Sequence, residues 1–178
     1  LYWRDVGSID AYWEANMDLV SVDPVFNLYD ENWPIHTYNE SAPPPKLVFA
    51  DIECDRQGGG VGLAMDSLVS QGDIIAGGQV IRSVLSPYTR VDEEARVEES
   101  ILFEGVRVGA GSLLRRTIVD KHVTIPPGTE VGVDRREDER RFTVSDGGVV
   151  VIPRRARLKH RRARRSPPPM PSTQRSGA

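Results

Sequence analysis

The sequence predicts a mainly β protein whose largest part, residues 66–153, is a parallel β-helix of hexapeptide coils with a C-terminal hairpin. Three observations carry this. First, aliphatic residues recur in triplets six apart: Leu68, Ile74, Val80; Leu85, Val91, Val97; Leu102, Val108, Leu114; Val119, Ile125, Val131. Each triplet begins 17 residues after the last, and at 39% apolar content twelve hits in twelve arise by chance on the order of 10⁻⁵ of the time. Second, Gly72, Gly77, Gly105, Gly111 and Gly128 fall between the aliphatic positions, where tight corners are needed. Third, RFTVSDGGVVVIP reads as two apolar strands about an Asp146-Gly147 turn. Three six-residue sides make a triangular coil, here with one corner a residue short. One side chain per side points inward, and stacked coils align these into columns such as Leu68/Leu85/Leu102/Val119. A single coil buries nothing alone, so the stack is the folding unit.

The other elements follow in order. Ser8 is a helix N-cap with Asp10 in the first turn, and Ile9, Trp13, Met17 and Val20 keep helical spacing, predicting a helix over 9–19. Residues 26–65 form a connector. Its prolines, with Phe26, Tyr29, Trp33 and Tyr38 between them, predict an ordered segment with buried aromatics. Within it, LVFADIE reads as a short strand and RQGGGVG as a loop. DRREDERR is expected to be a solvated charged stretch. Residues 154–178 are basic, lack a hydrophobic pattern and are expected to be a disordered tail.

Composition excludes several classes. No apolar run approaches the length of a membrane span, and the charged first residues do not fit a signal peptide. Cys54 is the single cysteine, so no intrachain disulfide can form, and a free thiol fits the cytoplasm. Nine of the 23 Lys and Arg residues lie in 154–178, which holds no acid; the body sets the other 14 against 26 acids. An acidic body argues against a specific nucleic-acid partner.

Candidate chemistry is sparse. Arg4-Asp5 sits beside Trp3 and Val6, where charge is costly to bury unless paired or ligand-bound. An internal Arg4–Asp5 ion pair, a solvated turn, and a metal-holding Asp5 are all compatible with the spacing. One carboxylate does not make a Mg²⁺ site alone. GGGVG at 58–62 lacks the Lys-Ser/Thr ending of a phosphate loop and reads as a connection. His122 lies in the coils, where a hexapeptide acyltransferase would place a base; a corner histidine on the surface is the simpler reading. His36 and His160 have no matching acid and nucleophile neighbours.

The stretches YWRDVGSIDAYWEANMDLVSVDPVFNLYDENWPIHTYNES, DSLVSQGDIIAGGQVIRSVLSPYTRV, SILFEGVRVGAGSLLRRTIVDKHVTIPPGTEVGVD and RRFTVSDGGVVVIPR closely resemble the bacterial glucose-1-phosphate adenylyltransferases (ADP-glucose pyrophosphorylases). The resemblance runs from Tyr2 to about Arg154, with Ser8 where the family usually has Thr. It implies a left-handed coil, whereas the spacing does not fix the hand. It also implies that residues 1–25 are the C-terminal end of an α/β nucleotidyltransferase domain, and that a chain starting without Met is the last part of a longer enzyme. The implied reaction makes ADP-glucose and pyrophosphate from ATP and glucose 1-phosphate for glycogen synthesis. Asp5 matches the family's Mg²⁺-binding aspartate, flanked by Arg4 and Trp3 in the same catalytic motif. Lys121 and Arg154 match phosphate-contacting positions of an allosteric site for sugar-phosphate and nucleotide effectors, in a homotetramer. The alternatives are a stand-alone β-helix oligomerisation or binding module, and an acyltransferase using His122.

Overall fold

A computed structural model describes residues 3–35, 41–49, 60–156 and 158; Cys54, His36, Tyr38, His160 and the tail beyond residue 158 lie outside the described residues. The described chain is a parallel β-solenoid with three faces. One face stacks β1 (Lys46–Val48), β4 (Ile74–Ala76), β7 (Arg90–Val91), β10 (Arg107–Val108) and β13 (Thr124–Ile125). A second stacks β2 (Leu63–Met65), β5 (Gln79–Ile81), β8 (Arg96–Glu98), β11 (Leu113–Arg115) and β14 (Glu130–Val131). The third stacks β3 (Leu68–Val69), β6 (Val84–Leu85), β9 (Ile101–Leu102), β12 (Thr117–Val119) and β16 (Val150–Ile152), with β15 (Thr143–Val144) antiparallel on its outer edge. Strands of two or three residues suffice because each is bonded to the coils before and after it.

The inward columns are Ala64/Val80/Val97/Leu114/Val131, Ile75/Val91/Val108/Ile125 and Val69/Leu85/Leu102/Val119/Ile152. Ten of the twelve positions picked by periodicity are therefore inward. Leu68 and Ile74 are not: Leu68 pairs with Val84 and Ile74 with Arg90, so Val69 and Ile75 take the inward places. The Gly77-Gly78 corner turns with one residue fewer than its successors, and Leu68-Val69 and Ile74-Ile75 are both doubly aliphatic, so spacing alone cannot choose between neighbours. A Cβ on Gly78 would meet Val91 Cγ1 at 2.6 Å.

Each corner uses one left-handed residue per coil. At one, the series is Asp66, Arg82, Glu99 and Arg116; at another, Gly72, Tyr88, Gly105 and His122. The second series alternates small and large for a packing reason. The Tyr88 ring fills the space a Cβ would take on Gly72, and the His122 imidazole does the same over Gly105. Beside the first series runs a ladder of hydroxyls. Ser67, Ser83, Ser100 and Thr117 each donate to the carbonyl two residues back, and Ser67, Ser83 and Ser100 each accept the N–H of the next in the series at 3.1 Å.

The C-terminal end of the core is covered by Phe142, Val144, Ala156 and Leu158. The charged stretch before the hairpin is mostly exposed, as expected, and forms a short helix: α2, Arg135–Glu139, is capped by Asp134, whose carboxylate accepts from the N–H groups of Arg136 and Glu137. Its Asp138 is buried and accepts the Gly132 N–H at 2.9 Å.

The helix expected over 9–19 is α1, Ile9–Leu19, with Ser8 Oγ accepting from Ala11 N–H. It lies on the third face, where Trp13, Ile101, Ile118 and Val149 are buried together and Ile9, Tyr12, Met17, Val84, Phe103 and Val151 pack around them. The outward column of that face, Val84/Ile101/Ile118/Val151, is wholly aliphatic, whereas the equivalent column of the first face is Ile74/Arg90/Arg107/Thr124. A sheet apolar on both sides needs a second cover, and α1 supplies it. Among the connector aromatics, Tyr29 is 78% and Trp33 63% exposed, against the expectation of burial. The segment is held by local turns, Asn27 to Tyr29 and Asp30 to Asn32, and Trp33 meets Phe26 edge to face.

Candidate functional site

Two places hold the residues singled out from sequence. The first is the lead-in to α1. Arg4 does not pair with Asp5; its guanidinium reaches Asp18 at 3.2 Å and Glu14 at 3.8 Å on the helix. Asp5 turns back on its own chain and accepts the Gly7 N–H at 3.0 Å, a turn that leads directly to the Ser8 cap. Trp3 is 79% exposed. One exposed carboxylate, already sharing an oxygen with a backbone N–H, does not form a Mg²⁺ site, and among the described residues no three His, Cys, Asp or Glu side chains lie together to hold a metal. The residues described thus do not by themselves fit the ion.

The second place is the corner between the third and first faces. Asp120, at the end of β12, accepts the Lys121 N–H at 2.7 Å and the Arg154 N–H at 3.2 Å. One carboxylate therefore joins two turns 34 residues apart in sequence. Lys121 and Arg154 are both exposed, and Lys121 Nζ lies 3.7 Å from Glu104. Two cationic residues therefore stand on neighbouring turns. His122, one residue on, has a positive φ and packs its imidazole over Gly105.

The contacts that join these places leave no mark in residue spacing. Trp13 Nε1–H donates to the Glu99 carbonyl at 2.7 Å, and the Arg116 guanidinium stacks 4.2 Å above the Trp13 ring. Arg116 also donates to the Gly147 carbonyl at 3.1 Å, while Asp10 accepts from Ser145 Oγ and from the Gly147 N–H. The doubly aliphatic pairs Val84-Leu85, Ile101-Leu102, Ile118-Val119 and Val151-Ile152 carried the signal for a helix seat on this face.

One buried acid lies apart from both places. Asp73, at 1% exposure, accepts N–H groups from Ser70 and Thr89 at 2.8 and 2.7 Å. Burial pushes its carboxyl up from 3.8 to about 7, outweighing the two donors that pull it down. The folded chain thus binds this proton more tightly than the unfolded chain. Its contribution to stability is full below about pH 4 and is lost as the pH rises through about 7. Urea midpoints are expected to fall by the equivalent of a few kcal/mol between pH 4 and pH 8, and Asp73→Asn to flatten that slope. An equally steep slope in the variant would assign it to another group.

The family model described as "GlmU-like, C-terminal hexapeptide" matches residues 43–152. Proteins named glucose-1-phosphate adenylyltransferase are similar over most of the chain: 51% identity over 158 residues for that of Anaeromyxobacter sp. (strain Fw109-5), and 53% over 154 residues for that of Rhodopirellula baltica. The matches take in 89% and 86% of this chain but 38% and 34% of those relatives, so the chain spans about a third of their length. Among the described residues no helix is long and apolar enough to cross a membrane.

Proposed function

The chain belongs to the GlmU-like C-terminal hexapeptide family, and from that premise we propose that it serves as the β-helix part of a glucose-1-phosphate adenylyltransferase. The enzyme would form ADP-glucose and pyrophosphate from ATP and glucose 1-phosphate for glycogen synthesis, in the cytoplasm and as a homotetramer. The observation that carries the reading is identity near 50% to proteins of that name along nearly the whole chain. In the reaction, a phosphate oxygen of the sugar phosphate attacks the α-phosphorus of ATP in line, and pyrophosphate leaves.

In this reading the parts of the chain divide the labour. Residues 1–25 bring the motif Trp3-Arg4-Asp5 to the catalytic side, with Asp5 as one of several donors to Mg²⁺ and Arg4 steadied by Glu14 and Asp18. Residues 26–65 connect, residues 66–153 form the scaffold, and Lys121 and Arg154 present charge to sugar-phosphate and nucleotide effectors. Beside Trp3 and Arg4, Asp5 is an exposed carboxylate that accepts from the Gly7 N–H. The purified 178-residue chain, given ATP, glucose 1-phosphate and Mg²⁺, is therefore expected to release no pyrophosphate above background. Turnover at the rate of an intact adenylyltransferase would overturn this assignment of roles. A stand-alone oligomerisation or binding module would instead co-elute with intact subunits in a mixing experiment read by size, and no co-elution would count against it.

A further inference from the structure

We propose that Asp73 is a proton-operated latch on β1, the strand by which the connector enters the solenoid. With the carboxyl neutral, β1 lies closed on β4; with the carboxyl ionised, β1 opens while the later coils stay shut.

The place of Asp73 in the stack carries this. Along one corner, Asp73, Thr89, Val106 and Val123 each present a carbonyl to the N–H that opens the neighbouring strand of the first face, at Lys46, Ile74, Arg90 and Arg107 in turn. All four are buried, and Val106 and Val123 belong to the hydrophobic core. Asp73 thus puts a carboxyl where later coils hold valine. Its oxygens accept from Ser70 in its own turn and from Thr89 in the next coil. On the opposite side lies the entering chain. Lys46 N–H donates to the Asp73 carbonyl at 2.9 Å, Gly72 N–H to the Pro43 carbonyl at 2.6 Å, and Ala42 N–H to Gln71 Oε1 at 3.4 Å.

β1 is the edge of its sheet, three residues long, with Lys46 and Leu47 exposed. It buries little, so it opens at a lower cost than the coils behind it. Opening there admits water to Asp73. The ionised carboxyl gains far more from that water than the neutral one, so ionisation favours the opened form. The titratable or charged side chains on the elements against Asp73 are Lys46, which is exposed, Tyr88, whose ring lies over Gly72, and Arg90, which is turned to Asp92 at 2.7 Å. Burial is what raises the Asp73 carboxyl to about 7, against the Thr89 and Ser70 N–H groups.

The test is amide hydrogen exchange resolved by NMR in the full 178-residue chain at about pH 5.5 and about pH 7.5, each rate divided by that of an unfolded peptide at the same pH. Lys46, Gly72 and Gly77 report on β1, because their N–H groups bond across the join between the entering chain and the first coil. Their protection is expected to fall about tenfold as the pH rises, while that of Arg107 and Gly109 in the later coils holds. Asp73→Asn is expected to abolish the fall. Asp73→Thr, which borrows the side chain found one coil on, is expected to do the same and serves if the first variant does not fold. Protection at the three amides that ignores pH, or a fall retained in either variant, overturns the latch. A fall shared equally by Arg107 and Gly109 also overturns it, because the stack would then open as one.

Discussion

Leu102→Ala is expected to lower the stability of the chain by about 2–5 kcal/mol, the range for truncating a fully buried leucine. Leu102 is completely inaccessible and sits in the middle of its column, between Leu85 and Val119. Its strand lies under α1 as well, because Ile101 beside it is buried against Trp13. A void here therefore weakens the interfaces with the coils before and after it, and a solenoid depends on those neighbour terms. Val97 and Val108 in the neighbouring columns are fully buried and paired to the coils on both sides, so collapse into the void is limited. Val69→Ala, in the partly exposed first coil, is expected to cost clearly less. Urea titrations of the two variants check the difference. Equal costs would mean that the coils do not share a cooperative core.

Gly132→Ala is expected to be comparably damaging for a backbone reason. Gly132 has φ +79°, a conformation that costs an L-residue about 1 kcal/mol or more. A Cβ there would also fall inside the contact surface of the Arg115 carbonyl oxygen, which is backbone and cannot rotate aside. The Gly132 N–H is the donor to the buried Asp138, so a shift that relieves the clash strips that carboxylate of its partner. The combined cost is on the order of 3 kcal/mol. Gly128→Ala is the control: its φ is also positive, but a Cβ there meets nothing within 4 Å. If both variants melted alike, the close approach to Arg115 would not be the cause.

Much of the architecture was legible because the fold repeats. Val80, Val97, Leu114 and Val131 follow a 17-residue period, and their inward places follow from it. Ser8 with Asp10 announced α1 for the local reason that a cap is a short-range device. Val69 and Ile75 were not legible, since a shortened corner slips the phase between two equally apolar neighbours. Asp138 was hidden because a run of charges gives no hint that one of them turns inward to an N–H six residues back. At the candidate site, Lys121 and Arg154 were marked by resemblance, not by pattern. The tie through Asp120 and the seat of Trp13 on Glu99 join residues 34 and 86 positions apart, beyond the reach of any local rule.

The hydroxyl ladder bears on how the chain avoids misfolding. Columns of Val, Leu and Ile are nearly interchangeable, so hydrophobic packing alone would tolerate strands sliding past one another. The ladder does not. A slip by one residue would strand Ser83, Ser100 and Thr117 N–H groups away from their hydroxyl acceptors, in a place where water does not reach them. A slip by a whole turn would pass that inspection wherever the interval is 17. The first interval, from Ser67 to Ser83, is 16, while the next two are 17. That single odd interval gives the molecule an origin, a mark from which its otherwise identical rungs can be counted.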